Sequence, residues 1–325
     1  MGQAAKLKGL VAEAGAHGGG AHRHGLPVAN VTITHPDRIL WPDRGITKLE
    51  LARYYAAIAP KLLAYAGNRP ISLLRCPQGR GKQCFFQRHP GDSMASHVRS
   101  VNVAGRGDGK PFIFIDDAEG LVSLVQMGTI EIHAWNSSVS DVKKPDRLVF
   151  DLDPAEDIRW DAVKRAARNV REALERLGLV SFLKTTGGKG LHIVVPFSPG
   201  PSWGDAKHFA RSFCNTLAEA EPERFTINSR KDVRAGHIFL DYLRNDETAS
   251  AIAAYSVRAR PGAPVSLPID WKELSDLKSA DAFKIKDALK RRKDPWKDIA
   301  TAGQQHLPLE PERSRERSPV KSSAE

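Results

Sequence analysis

An α/β or α+β fold is predicted, because apolar, β-prone runs alternate along the chain with amphipathic helical segments and turn residues separate many of them. The strand candidates are Ile71 to Leu74, Thr129 to Trp135, Leu148 to Asp153, Leu191 to Val195, His237 to Tyr242 and Ser256 to Arg260. With 325 residues and 41% hydrophobic content, the chain can bury the core of one large domain or two small ones. No internal repeat is visible.

Residues 1–28 are rich in Gly, Ala and His and carry little periodicity, as a linker does; a flexible tail is the favoured reading of His17, His22 and His24, with metal binding as the alternative. Thr47-Lys-Leu-Glu50 is a capping box, and Leu51, Tyr54, Tyr55, Ile58 and Leu62 follow at helical spacing until Gly67 stops the run. The segment 158–177 repeats the pattern through Val163, Ala166, Ala167, Val170, Leu174 and Leu177, with Gly178 as its end. A third helix is expected at about 205–220. Beyond residue 297, Gln, Pro, Glu, Arg and Ser dominate, so 29–297 is expected to be the folded body and 298–325 a disordered basic tail.

The formal charge of +11 favours a polyanionic partner, although Lys290-Arg-Arg-Lys293 and the Arg313 to Arg317 region are expected to carry part of it in solvated chain. Only three cysteines occur, Cys76, Cys84 and Cys214, without a C-x-x-C pair; neither a disulfide framework nor a thiolate zinc site is expected, and a reducing cytoplasm fits. No apolar run approaches the roughly 18 residues of a membrane span, and the N-terminus lacks a signal pattern.

Arg147-Leu-Val-Phe-Asp-Leu-Asp-Pro154 is the most informative stretch. On a strand, Asp151 and Asp153 face the same way while Leu152 points to the opposite side. Two buried like charges need a cation, and hard oxygen donors suit Mg²⁺ or Mn²⁺. Asp241, in His237-Ile-Phe-Leu-Asp-Tyr242, supplies a third carboxylate on an alternating strand, enough for a cage that holds two ions.

Thr185-Thr-Gly-Gly-Lys-Gly-Leu-His192 is a Gly-rich turn entering a strand; its backbone N–H groups, with Lys189 and His192, suit phosphate oxygens, and an ordinary Gly-rich hairpin is the competing reading. It lacks the Walker A spacing, since Phe182 stands where the first glycine belongs. Arg258 and Arg260 share a face by i, i+2 spacing and suit a triphosphate or a nucleic-acid backbone, against an exposed edge strand as the plain alternative; Arg234 is similarly ambiguous. Phe85 and Phe86 sit beside a basic cluster, where one ring stacks on a base or both pack inside. His133 either supports the metal site or satisfies a buried hydrogen bond.

Taken in order, these motifs resemble the polymerase domain of bacterial ATP-dependent DNA ligase D, a branch of the archaeo-eukaryotic primase superfamily. The likeness runs from about His35 to Pro295 and includes His35-Pro-Asp-Arg-Ile-Leu-Trp-Pro42, Phe85-Phe86, Glu131-Ile-His133, Asp151-Leu-Asp153, Gly187-Gly-Lys-Gly-Leu-His192, Arg234-Ala-Gly with Asp241, and Tyr255-Ser-x-Arg-x-Arg260. The resemblance implies a primase-like core of mixed and antiparallel sheets flanked by helices. It implies a nucleotidyl transferase in which Asp151, Asp153 and Asp241 hold two divalent metals while a primer 3′-hydroxyl attacks the α-phosphate of a nucleoside triphosphate.

On the same likeness, Thr186, Lys189, His192, Arg234, Arg258 and Arg260 grip phosphates and sugar, and Phe85 or Phe86 stacks on the base. Ribonucleotides and Mn²⁺ are the implied preferences. Arg38 and Lys48, with His35 nearby, are implied to bind the 5′-phosphate of gapped or broken DNA, and a Ku-like end-binding protein and a ligase domain are implied partners in non-homologous end joining. The implied location is the cytoplasm, at the nucleoid during repair. Ala249, where some relatives carry Lys, and the His-Pro-Asp-Arg opening depart from the pattern without touching a metal ligand. The K-x-D-G motif of the ligase half is missing, so a polymerase domain alone is expected, free-standing or part of a larger repair protein.

Two rivals compete. A haloacid-dehalogenase-like phosphatase also places D-x-D after an apolar strand, with Asp151 as nucleophile, but Pro154 replaces the usual Thr or Val and no later Asp pair follows. A non-catalytic nucleic-acid-binding module explains the basic charge but not three carboxylates; it would bind DNA in EDTA and incorporate nothing.

Overall fold

The computed structural model describes residues 25–91, 94–103 and 109–309. Two sheets carry the candidate site. In chain order their strands are β1 (Ile71–Arg75), β2 (Phe85–Gln87), β3 (Thr129–Ala134), β4 (Arg147–Pro154), β5 (Phe182–Thr185), β6 (Leu191–Pro196), β7 (Phe225–Thr226), β8 (Ile238–Asp241), β9 (Ala251–Ile252) and β10 (Pro268–Ile269). The larger sheet has the order β7-β8-β4-β6-β5-β10 and is antiparallel except for the parallel β7–β8 pair; the smaller, β9-β3-β1-β2, is antiparallel throughout.

Four longer helices pack on these sheets: α1 (Lys48–Ala66), α2 (Ala118–Gln126), α3 (Trp160–Arg176) and α4 (Trp203–Ala220). The Thr47–Glu50 capping box opens α1 as its sequence requires, and α4 starts from a second box formed by Ser202 and Asp205. The helix at 118–126 carries no expectation from the sequence. Its nine residues are too few for a clear helical period, and its Asp117 cap becomes visible only when it bonds the Gly120 amide.

Alternation along β4 sets the architecture. Leu148, Phe150 and Leu152 join the core cluster that includes α3 and α4 residues, whereas Val149 belongs to the cluster around α1, α2 and the smaller sheet. Arg147, Asp151 and Asp153 therefore share the face of Val149, toward the second sheet. Leu191, Ile193 and Val195 of β6 and Ile238 and Leu240 of β8 follow the same rule, which turns His192 and Asp241 to the cleft side.

The structure corrects four expectations. Ser256–Arg260 forms only a single bridge, Val257 to Val265, because Tyr255 has a positive φ of 67° and Pro261-Gly262 turns the chain at once. The linker boundary moves, since Leu26–Val28 pairs with Val31–Ile33; the His-rich stretch before it lies outside the described residues. The fold continues past residue 297: Ile299–Ala302 is helical, Leu307 is buried and Gln305 bonds Val180 and Pro196, while residues 310–325, including the Arg313 to Arg317 region, lie outside the described residues. Lys290-Arg-Arg-Lys293 is also part of the fold, with Lys290 closing the short helix Ile285–Lys290 and Arg291 paired to Glu273.

A fifth correction concerns cysteine. Cys76 and Cys84 form a disulfide with Cα atoms 4.4 Å apart. The β1–β2 pairing, with Arg75 opposite Phe85, brings together two residues whose spacing alone gave no such sign. Cys214 is free and buried. Among the described residues no helix is long and apolar enough to cross a membrane.

Candidate active site

A polar row crosses the larger sheet on its cleft face. In the strand register Asp151 stands opposite Asp241 on one side and His192 on the other, and His192 stands opposite Lys184. Four strands thus place Asp241, Asp151, His192 and Lys184 side by side, one per strand, with Asp153 two residues along β4.

The electrostatics differ along the row. Burial alone would raise the Asp151 carboxyl, but His192, with Nε2 3.3 Å away, and Arg244 and Lys184 outweigh it and hold Asp151 at about 2. Asp153 is raised by burial and by the Asp151 charge, against the pull of Arg234, whose Nη1 donates to it at 2.8 Å. Asp241 is raised by burial; Arg244, 3.2 Å away, opposes and Asp151 adds to the rise. Burial drives His192 down to about 4 and Lys184 well below its ordinary value.

Among the described residues no group of three or more His, Cys, Asp or Glu side chains is drawn together into a ready cage. Asp153 is turned to Arg234 and Asp241 to Arg244. The donor set nevertheless fits a hard divalent cation. Three carboxylates crowd one face and two are raised by burial and crowding, while the buried Nδ1 of His192 has no partner. A cation would relieve the like-charge crowding more directly than the arginines do.

Beside this row, at the end of the β5–β6 hairpin, lies the Gly-rich turn. Thr186 is buried; its hydroxyl donates to the Gly190 carbonyl at 2.8 Å and accepts the Gly188 amide at 3.1 Å, which fixes the loop. Arg258 Nη1 donates to the Thr186 carbonyl at 2.7 Å, and a Cβ on Gly188 would stand 3.5 Å from both Arg258 Nη1 and Arg260 Cζ. The two arginines therefore meet at the turn although no regular strand carries them. Lys189 reaches Glu156 at 2.8 Å on the surface. His133, Asp151, Asp153, Thr186, Lys189, His192, Arg258 and Arg260 line one cleft.

Phe85 and Phe86 are 43% and 62% exposed, so core packing of both rings is excluded. Phe86 meets the His133 ring edge-on at 5.6 Å, beside the cleft. Arg38, Lys48 and His35 do not line it. Lys48 follows Arg38 closely, its amide bonded to the Arg38 carbonyl at 2.8 Å; its amine is buried, donates to Thr34 and Gln126, and is pushed down to about 8 by burial and by Arg38. Arg38 Nη1 donates to the Pro77 carbonyl at 2.7 Å, and His35 is exposed with a φ of 51°.

Three residues in or just behind the cleft escaped the sequence reading. Arg244 lies in the 3-10 turn Leu243–Asn245 just after β8, and its i+3 spacing from Asp241 was the available signal. Lys184 on β5 reads as an ordinary strand lysine until the register sets it beside His192. Glu131 stood only inside the Glu131-Ile-His133 run, yet it is buried and paired to both His133 and Arg258.

A carboxylate row beside a Gly-rich turn with two arginines, on paired sheets of this topology, defines a nucleotidyl transferase of the archaeo-eukaryotic primase type. Residues 47–298 match the model of the family described as LigD, primase-polymerase domain, and the chain belongs to that family. The Pseudomonas aeruginosa multifunctional non-homologous end joining protein LigD is 42% identical over 277 residues, covering 84% of this chain and 33% of that protein. The Bacillus subtilis bifunctional non-homologous end joining protein LigD is 27% identical over 283 residues, 85% of this chain and 45% of that protein.

A solved structure, the polymerase domain from Mycobacterium tuberculosis ligase D in complex with DNA, superposes with a TM-score of 0.75 at 31% identity, covering 84% of this chain and 96% of that one. The chain thus spans a third to under a half of these curated relatives. Membership makes it a metal-dependent nucleotidyl transferase and overturns the phosphatase reading.

Proposed function

We propose that this chain extends DNA 3′ ends at gaps and breaks by templated nucleotide addition during non-homologous end joining, with ribonucleoside triphosphates preferred. The observation that carries the reading is the register of Asp241 and His192 on either side of Asp151, beside the turn that Arg258 and Arg260 meet. Asp151, Asp153 and Asp241 would hold two divalent cations, Mn²⁺ or Mg²⁺, which supply activation of the attacking hydroxyl and neutralisation of the leaving pyrophosphate.

The chain's own residues do the rest by position and charge. Arg258, Arg260, Lys189 and the amides of the Gly-rich turn bind the triphosphate, with Arg234 at its edge. Thr186 keeps the turn shaped, and His192, whose ring borders the cleft, orients Asp151 and contacts the nucleotide. The exposed face of Phe85 or Phe86 stacks on the base, and His133 supports Phe86 from the side. Arg38 and Lys48, with His35, take the 5′-phosphate of the downstream strand at a place apart from the cleft. The net positive charge suits this polyanion. A ligase domain and a Ku-like end-binding protein are the proposed partners, residues 26–309 the catalytic domain, and the bacterial cytoplasm at the nucleoid the location.

The test is extension of a labelled primer on a 5′-phosphorylated gapped duplex with Mn²⁺, comparing ribonucleotides with deoxynucleotides. Asp151→Ala and Asp153→Ala are expected to lose at least about a thousandfold in extension while retaining DNA binding, and EDTA to abolish extension outright. Near-wild-type extension by either variant would overturn the ion-binding assignment. DNA binding without incorporation at any metal concentration would leave the non-catalytic module.

A further inference from the structure

Glu131 sits on β3, in the sheet across the cleft from Asp151, and is only 4% exposed. A buried carboxylate is costly unless charge and hydrogen bonds compensate, so its neighbours indicate what holds it there. Oε1 accepts the Ala259 amide at 2.7 Å and stands 3.1 Å from Arg258 Nε; Oε2 accepts from His133 Nε2 at 2.9 Å. Burial would raise its pKa, but the His133 hydrogen bond and the Arg258 charge outweigh it and hold Glu131 at about 2.

Each partner leads to a different half of the cleft. Arg258 continues to the Thr186 carbonyl and packs so tightly under the Gly-rich turn that a Cβ on Gly187 would come within 2.8 Å of its Cγ. The Ala259 amide fixes the backbone between Arg258 and Arg260, a segment that lacks strand partners of its own beyond Val257. His133 leads instead to Phe86, whose ring is mostly exposed and meets the imidazole edge-on.

We propose that Glu131 is a positioning residue of the nucleotide site: one buried carboxylate sets Arg258 against the Gly-rich turn and His133 against Phe86, so that the phosphate grip and the base platform are aligned as one unit. The inference rests on the nucleotidyl-transfer reading above and deepens it. Glu131 touches neither nucleotide nor ion. It acts on affinity for the nucleotide, because Arg258 grips the phosphates and His133 backs the Phe86 base platform, and neither activates the attacking hydroxyl. A carboxylate that merely glued the smaller sheet to the 255–266 segment would instead affect folding, and its loss would lower the active fraction without touching KM.

Glu131→Gln separates these roles, since it preserves the shape and the hydrogen-bond acceptor for Ala259 but removes the charge that faces Arg258. In primer extension on the gapped duplex with Mn²⁺, KM for the ribonucleotide is expected to rise about tenfold, with kcat within about threefold and DNA affinity unchanged. The rise should shrink to less than about twofold when Glu131→Gln is combined with Arg258→Gln, because the two residues act on one contact. Glu131→Asp, which keeps the charge, is expected to recover part of the loss.

An unchanged KM, or a loss confined to kcat together with a lowered melting temperature, overturns the positioning role. Equilibrium titration with a fluorescent ATP analogue and Mn²⁺ gives a readout that requires no primer. Wild-type affinity in Glu131→Gln overturns the inference there as well. Failure of the wild-type chain to extend any primer counts against the proposed function instead, and leaves the titration to decide on Glu131.

Discussion

Asn245 does for Val149 what a neighbouring strand does elsewhere in the larger sheet. β6 pairs with β4 along its length, but β8 reaches only from Asp151 to Pro154, so Val149 has an open edge on that side. The Asn245 amide closes it, accepting the Val149 N–H at 2.7 Å and donating to its carbonyl at 2.9 Å, with Asn136 and Tyr242 as further partners. Asn245→Ala leaves both backbone groups of Val149 buried and unpaired, a loss of about 2–4 kcal/mol in urea-induced unfolding. A loss below about 0.5 kcal/mol would mean that water takes the amide's place. At this scale the sequence was legible where chemistry is local: Asp151 and Asp153 share a face by the strand period alone. Asn245 and Arg244 were not, because their roles depend on a strand edge 96 residues away for the first and on a carboxylate row for the second.

Among elements, the β5–β6 hairpin shows why its loop is rich in glycine. Gly187 takes a φ of 64°, and at Gly190 a Cβ would lie 1.9 Å from the Leu152 carbonyl oxygen of β4. Since that atom is backbone in the strand carrying Asp151 and Asp153, it cannot yield without moving the carboxylates. Gly190→Ala is expected to cost at least about 2 kcal/mol of stability and to lower extension more than tenfold. Thermal unfolding together with primer extension checks this; wild-type values for both would show that the turn lifts freely off β4. The turn itself was readable, as were β4, β6 and α1, each through its own period and punctuation. Ser256–Arg260 misled, since its i, i+2 arginines imitate a strand where the φ of Tyr255 and Pro261-Gly262 break one. The short α2 was missed because nine residues hold little period to read.

For the whole molecule, the cleft arises because two sheets, each with its own core cluster, turn polar residues toward one another. Arg38, on the segment leading into α1, and Lys48, its first residue, stand outside the cleft, so the proposed binding of a downstream 5′-phosphate there would be separable from catalysis. Arg38→Ala is expected to lower extension on a 5′-phosphorylated gap by about tenfold and on the unphosphorylated gap by less than about twofold, measured side by side. An equal loss on both would assign Arg38 to the fold, through its bond to Pro77, rather than to DNA. The sequence by itself determined the family, the carboxylates, the Gly-rich turn and the basic character, because each is written in residue types at short spacing. Tertiary structure alone decided that Asp241 stands opposite Asp151, that Glu131 joins Arg258 to His133, and that Cys76 meets Cys84. Those contacts depend on strand register and on how the two sheets face each other, and register is set by burial of whole strands, which no short spacing records.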